Sequence, residues 1–300
     1  MKKETNQILI KKISDFFAQA KKSQAIVSLS GGIDSAYSAM LHVAALGKEN
    51  VLLINLPSRH NSKITKTIAQ MVANNLGCQY VIMNIDKLVD LNQEIIKNEE
   101  KNIAWQVKDR SDENTQARVR ANVTASLAAK YNALFPCNAN RSELVIGYGT
   151  LYGDLTGYAC PLGSLWKSEI YEQAKLLSDI MGGILPAAIF TVHASAELGP
   201  HQDVDKNLGD PMTDDYHEKL LKFWSAHYQV NPNLYKMTAE AVELEKLADL
   251  LNLNAAEKIL MEKLLPTKIE LMADMEYLWH LFTTAGQFKK NQIPPVFYLD

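Results

Sequence analysis

The chemistry of this chain starts from Ser28-Leu29-Ser30-Gly31-Gly32-Ile33-Asp34-Ser35. An apolar run, Ala25-Ile26-Val27, precedes it, and a helix-like run, Ala36 to Ala45, follows. The pattern predicts a strand, a glycine turn and a helix start. Two adjacent glycines admit backbone conformations closed to other residues and let a ligand approach the main chain. The helix that begins here directs free N–H groups and its positive dipole end into the turn. Ser30 and Ser35 add hydroxyls, so the stretch makes an anion cradle sized for phosphate. Asp34 is out of place beside phosphate unless a divalent cation sits between the two. The plainer alternative is a Gly-Gly turn with a serine N-cap.

Two further stretches carry candidate groups. Asn114-Thr115-Gln116-Ala117-Arg118-Val119-Arg120 sets two arginines near a helix N-terminus, where they suit phosphates or carboxylates. Two positions apart, they point about 200° apart on an ideal helix. The expectation is one ligand contact and one structural ion pair. Taken alone, they read first as ordinary surface arginines. Asn140-Arg141-Ser142-Glu143 opens a stretch whose glycines, 147, 149 and 153, do not fit GxGxxG. It leads to Pro161-Leu162-Gly163-Ser164-Leu165-Trp166-Lys167, which places a lysine in the first turn of a helix. The dipole disfavours a cation there, so Lys167 either answers a bound anion or is simply solvated.

The elements that must hold these groups follow from periodicity. Residues 6–20 read as an amphipathic helix. Residues 51–56 are a buried strand, 57–62 a turn, and a helix then runs to about Asn75 before Gly77. A third strand covers 80–85, and Asp86 caps a helix to about Lys97. Strands alternating with helices argue for a parallel sheet covered on both faces, with ligands beyond the carboxyl ends of the strands. Residues 98–114 read as an exposed loop, 114–131 as a helix, 133–136 as a short fourth strand and 138–147 as a short helix or turn. Ser164 is expected to cap a helix through about Met181. Residues 193–216 are polar and unpatterned, a length of loop that is usually functional or disordered. From Tyr216 to Lys289 helices dominate, and Pro294-Pro295 marks an extended tail.

Composition narrows the classes. The chain has 300 residues, 47% of them hydrophobic, and a formal charge of −3. That is enough to fill a real core, with no polybasic footprint for nucleic acid or an acidic membrane surface. The N-terminal residues lack the apolar core of a signal peptide, and no run approaches a membrane span. Cys78, Cys137 and Cys160 are too scattered for a zinc site or a disulfide framework, and read as reduced thiols of a cytoplasmic protein.

The glycine stretch, S-G-G-x-D-S, resembles the pyrophosphate loop of the ATP pyrophosphatase (PP-loop) enzymes. Taken with N-x-Q-A-R-x-R, N-R-S-E-L-x-x-G-Y-x-T-x-Y-G-D and the helix lysine, in this order, the chain resembles the NAD synthetases. The likeness continues in Ser195-Ala196-Glu197-Leu198-Gly199-Pro200-His201-Gln202 and in Lys289-Lys290-Asn291-Gln292-Ile293-Pro294-Pro295. It therefore spans about residue 25 to 295. The resemblance implies an adenine-nucleotide alpha hydrolase-like (Rossmann-like) three-layer α/β sandwich with a parallel sheet and a helical C-terminal region. One domain would cover 1–300, with an α/β core (1–192), a mobile lid loop (193–216) and a helical part (217–300). It also implies ligase chemistry. Magnesium-bound ATP adenylates the nicotinate carboxylate of deamido-NAD, pyrophosphate leaves, and ammonia displaces AMP to give NAD. Ser28, Ser30, Gly31, Gly32, Asp34, Ser35, Asn138, Lys167 and Ser195 would bind ATP. Asp34 and Lys167 would be catalytic, and Asp34 and Glu143 would hold the metal. Arg118, Arg120 and Lys289 would meet the dinucleotide. A homodimer is implied.

The chain departs from that family pattern in places. Asn138 stands where relatives carry a threonine assigned to ATP. Leu151 stands where ammonia-dependent forms usually carry a lysine, and resembles glutamine-dependent forms. Asp203-Val204-Asp205-Lys206 replaces the usual acidic pair of the lid. Only about 24 residues precede the first strand, so the expectation is free ammonia, or ammonia from a separate partner. The alternatives are another PP-loop adenylating enzyme, such as a GMP synthetase core or a tRNA-modifying thiolase, and a nucleotide-binding regulatory protein without turnover. The missing CxxC and the net acidity disfavour the thiolase.

Overall fold

The computed structural model describes residues 2–105, 112–192, 195–199, 202, 204–206, 216–228, 244–265 and 267–299. Its centre is a parallel sheet of β1 (Ala25–Ser28), β2 (Val51–Asn55) and β3 (Gln79–Ile82), in that spatial order. Ala25 pairs with Val51 and Leu52 with Gln79. Around the sheet run α1 (Lys2–Gln19), α2 (Ile33–Leu46), α3 (Lys63–Leu76), α4 (Asp86–Glu100), α5 (Asp112–Lys130), α6 (Arg141–Ile146) and α7 (Lys167–Ile180). Parallel neighbours need crossovers, and α2 and α3 supply them.

Alternation along the strands builds the layers. Ala25, Val27 and Leu53 pack with α1, α2, α3 and α7. Ile26, Ile54 and Leu56 face the other way, onto α4 and α5. Both faces are covered, which is why β1 and β2 read as unbroken apolar runs. The three-layer expectation therefore holds. The fourth strand is only one bridge long: Leu134 lies parallel to Ala25, and the Ile26 amide donates to the Leu134 carbonyl at 2.8 Å.

Several boundaries differ from the sequence reading. The first helix begins at Lys2, and α4 continues to Glu100. The expected 98–114 loop is thus trimmed at both ends, with 106–111 outside the described residues. β3 ends at Ile82, although Met83 and Ile85 still donate to the Asn55 and Pro57 carbonyls at 2.9 and 3.1 Å. Ser164 does not cap α7. Its hydroxyl donates to the Phe297 carbonyl at 2.8 Å, and the helix begins at Lys167, with Trp166 at the N-cap and its amide held by Glu169 at 2.8 Å.

The C-terminal helices are α8 (Tyr216–His227), α9 (Leu244–Leu250), α10 (Ala255–Leu264), α11 (Lys268–Thr283) and α12 (Ala285–Lys289). Their core of Leu220, Trp224, Leu247, Met275 and Phe282 also takes in Ile146 and Trp166. The helical region therefore seats on α6 and on the start of α7. The extended tail returns to the core, where the Cys160 amide donates to the Pro295 carbonyl at 2.8 Å. The expected 193–216 lid lies mostly outside the described residues. No described helix is long and apolar enough to cross a membrane.

Candidate active site

The glycine turn leaves the carboxyl end of β1 and enters α2. Gly31 has φ +100°, and a Cβ there would lie 2.1 Å from the Thr65 carbonyl oxygen, so only glycine fits. Gly32 occupies the N-cap and brings no side-chain cap, which leaves the first-turn amides of α2 to another acceptor. Ser35 shapes the turn. Its hydroxyl donates to the Gly32 carbonyl at 2.9 Å and accepts from the Ser30 amide at 3.2 Å. The Ser30 and Ser35 hydroxyls lie 3.1 Å apart. Ser28 ends β1, with its hydroxyl 3.4 Å from that of Thr124.

The charged groups meet just beyond this turn. One Asp34 oxygen accepts from the Lys167 ammonium, and the other accepts from the Asn140 carboxamide at 2.9 Å. Lys167 is buried to 7% exposure, and its backbone amide donates to the Ser142 hydroxyl at 3.1 Å. Burial lowers its pKa, but the Asp34 and Glu143 carboxylates outweigh burial and hold the pKa above the ordinary lysine range. Glu143 is the N3 residue of a capping box on α6. Asn140 accepts from the Glu143 amide and gives its own amide to Glu143, both at 3.0 Å. Burial, reinforced by the nearby Asp34 charge and opposed by Lys167, pushes the Glu143 carboxyl up to about 8.

Two carboxylates close enough to perturb one another make a place short of positive charge. Lys167 supplies one unit of it. Hard oxygen donors of this kind fit a magnesium ion, which commonly takes one or two carboxylates and completes its shell with phosphate and water. Among the described residues no cluster of three His, Cys, Asp or Glu offers a protein-only cage. Asp34 and Glu143 are the residues that would hold the ion.

A second basic group lies around 147–154. Lys289 donates to the Gly147 carbonyl at 2.7 Å and to the Gly149 carbonyl at 2.5 Å. Arg118 is exposed on α5 and donates through Nε to the Leu151 carbonyl at 3.2 Å. Burial lowers the Lys289 pKa; Asp154 opposes that and Arg118 adds to it, so the three charges share one neighbourhood. Arg120 points elsewhere, donating to the Leu56 carbonyl at 2.9 Å and to Asn61 at 3.1 Å. Burial pulls its pKa down to about 10 against the pull of Asp154, Glu197 and Asp86. The two arginines divide as the helix angle requires, one inward and one open, but the inward one bonds a carbonyl and a carboxamide oxygen and not the carboxylate expected of a structural ion pair.

Asn138 gives its Nδ2 to the Ser28 carbonyl at 3.2 Å, and its Oδ1 is buried without a partner. Ser195 bonds within its own segment, donating to the Gln202 carbonyl at 2.8 Å. Asn140 and Asp154 received no role from the sequence. Asn140 was detectable, because Asn-x-x-Glu ahead of an apolar run is a capping-box signature. Asp154 lies in the glycine-containing stretch that follows Glu143, where its carboxylate accepts from the Thr150 amide at 2.9 Å.

A glycine turn between a parallel strand and an uncapped helix, with a carboxylate and a lysine converging on it, is the arrangement of a PP-loop α/β protein. Residues 5–256 match the family model for NAD synthase, and the chain belongs to that family. It is 35% identical over 212 residues to an NH(3)-dependent NAD(+) synthetase of Methanocaldococcus jannaschii, covering 68% of this chain and 77% of that protein. It is also 35% identical over 190 residues to a glutamine-dependent NAD(+) synthetase of Aquifex aeolicus, covering 63% of this chain. The match spans 33% of that relative's length. Among solved structures, an NH3-dependent NAD synthetase of Campylobacter jejuni superposes with a TM-score of 0.58 at 27% identity, covering 84% of this chain and 92% of the other. Membership does not favour the GMP synthetase-like and regulatory readings.

Proposed function

We propose that the chain amidates deamido-NAD to NAD at the cost of ATP, with ammonia as the nitrogen donor. The observation that carries this reading is the convergence of Asp34, Glu143 and Lys167 on the uncapped start of α2. A carboxylate is a poor acylating agent, and an AMP leaving group repairs that. The nicotinate oxygen attacks the α-phosphorus, the bond to the β-phosphate oxygen breaks, and pyrophosphate leaves. Ammonia then adds to the acyl carbon, AMP leaves with the bonding pair, and a proton is lost to give the amide. Magnesium, when bound, would neutralise phosphate charge and orient the leaving group.

The residues of this chain do the positioning. The glycine turn, with Ser28, Ser30 and Ser35 around it, receives the phosphates on the α2 amides. Asp34 and Glu143 are the proposed metal ligands. Lys167 stays protonated and offers a fixed charge to phosphate oxygens. Asn138 is proposed to line the ATP site, held there by its bond to the Ser28 carbonyl at the end of β1. Ser195 is proposed for the phosphates and Arg118 with Lys289 for the dinucleotide. Arg120 supports the site from behind, through the turn after β2. The ammonia assignment draws on the NH(3)-dependent relatives, which this chain matches over most of their length. A separate ammonia-supplying partner fits the same chemistry.

We read the chain as one domain, and as a homodimer. Helix α4 buries only Val89, while Leu88, Leu91 and Ile95 share one exposed side and Ile82 on β3 is open as well. An apolar face of this kind suits a two-fold contact with a second copy. Nucleotide substrates and free thiols at Cys78, Cys137 and Cys160 suit the cytoplasm. The deciding experiment supplies ATP, magnesium, deamido-NAD and ammonium, and measures NAD and pyrophosphate. Equal amounts of both are expected. Pyrophosphate without NAD would assign another acceptor.

A further inference from the structure

Glu197 has no role in the chemistry above, yet it is placed at a cost. It is 3% exposed, and its φ of +49° is a left-handed conformation that disfavours any residue but glycine or asparagine. Its carboxylate accepts from the Ser62 amide at 2.9 Å, the Thr65 hydroxyl at 2.8 Å and the Asn61 carboxamide at 3.2 Å. All three donors lie at the start of α3: Asn61 and the N-cap Ser62 precede the helix, and Thr65 sits in its first turn. A buried carboxylate persists only with such partners, and the positive end of α3 adds to them. Neighbouring bonds hold the same segment down. Gln116 donates to the Leu198 carbonyl at 2.7 Å, and the Lys63 amide donates to Asp205 at 3.1 Å.

The turn held by Glu197 is also the turn against which the glycine loop lies. A Cβ on Gly31 would collide with the Thr65 carbonyl. Thr65 thus touches the glycine loop with its backbone and Glu197 with its hydroxyl. On the other side, the Glu197 amide donates to the Ser195 hydroxyl at 3.1 Å and so orients it. We propose that Glu197 is a positioning residue that couples segment 195–199 to the phosphate loop through Thr65. The proposal rests on the reading of that loop as the ATP phosphate site. Glu197 touches no substrate. It sets where Ser195 stands when the nucleotide arrives.

Hydrogen–deuterium exchange on the full chain, with and without a non-hydrolysable ATP analogue and magnesium, tests this. In the unaltered protein the analogue should slow exchange at 30–35, 62–66 and 195–199 together. Glu197→Gln turns one acceptor oxygen into a donor that faces donors. It should keep protection at 30–35 but lose roughly tenfold of the added protection at 195–199, in line with a lost bond to a charged group. Thr65→Val removes one hydroxyl and gives the same pattern in a variant that keeps the turn's backbone bonds. KM for ATP should rise in both while kcat changes less. If 30–35 is protected and 195–199 responds in Glu197→Gln as in the unaltered chain, the coupling proposal alone falls. Lowered thermal stability with the linked protection intact overturns it equally. No protection at 30–35 in the unaltered protein overturns the phosphate-site reading, and the coupling with it.

Discussion

Asp34 holds two donors at once, an ammonium on one oxygen and a carboxamide on the other. Asp34→Asn loses the charge and keeps only one of the two acceptors, but it leaves the apolar packing of α2 untouched and so should keep the fold. It removes a proposed metal ligand and leaves Lys167 without its direct counter-charge. Turnover should fall by at least about 10²-fold, with an unchanged far-UV spectrum. Pyrophosphate release over a range of magnesium concentrations checks this, and unaltered kinetics would remove Asp34 from the metal site. The arginines offer a paired test. Arg118→Ala should raise KM for the dinucleotide while shifting stability by less than about 0.5 kcal/mol. Arg120→Ala removes the donor to the Leu56 carbonyl, while Asn61 keeps its bonds with Ser58 and Glu197, and should cost about 1–3 kcal/mol in urea unfolding. The division between them was readable from their spacing, but which one faces outward was not, because that depends on where β2 ends. Glu197 lay deeper out of sight, since its partners are 132 to 136 residues away along the chain.

Helices carry these side chains, and their relative placement has its own device. Asn6 on α1 is buried, accepts from the Tyr37 hydroxyl at 2.7 Å, and donates to the Gln173 carbonyl and side-chain oxygen, both at 3.2 Å. Tyr37 stands one turn past Asp34 on α2, and Gln173 stands less than two turns past Lys167 on α7. Asn6 therefore pins the two helices that carry the ion pair. Asn6→Leu leaves a phenol and an amide unpaired and should lower stability by about 1–3 kcal/mol, as measured by urea unfolding. Strands were legible because burial on both faces demands apolar runs, and Gly77 marked the end of α3 in the expected chemistry. The start of α7 was not legible. Ser164 has the right residue type for a cap, but the returning tail takes its hydroxyl, a contact that local sequence does not announce.

At the scale of the whole molecule, pH and the proposed contact with a second copy supply the tests. His42 is fully buried between Ser38 and Tyr158, and burial lowers its pKa from 6.5 to about 4. Between those values the unfolded chain binds a proton that the native state refuses. Its contribution is complete above about pH 6.5 and falls away toward pH 4, by up to about 3 kcal/mol. Thermal or urea unfolding across this range should show that loss, and His42→Gln should flatten it. For the proposed dimer, Leu91→Asp places a charge in the exposed face of α4. Sedimentation should then report a monomer that remains folded; an unchanged assembly would move the contact elsewhere.

The bond between Lys167 and Asp34 joins positions 133 residues apart. Closing so long a stretch of chain has to wait for the entropy of the intervening segments to be spent, whereas each helix forms from near neighbours. The kinetic order follows. During refolding, helices and the β1–β2 pairing should therefore come first, and this ion pair last. A chain in which the C-terminal half lags in synthesis or refolding would present a glycine turn whose acidic neighbour still lacks its lysine, so the proposed competence to bind ATP would mark completed folding and not merely collapse.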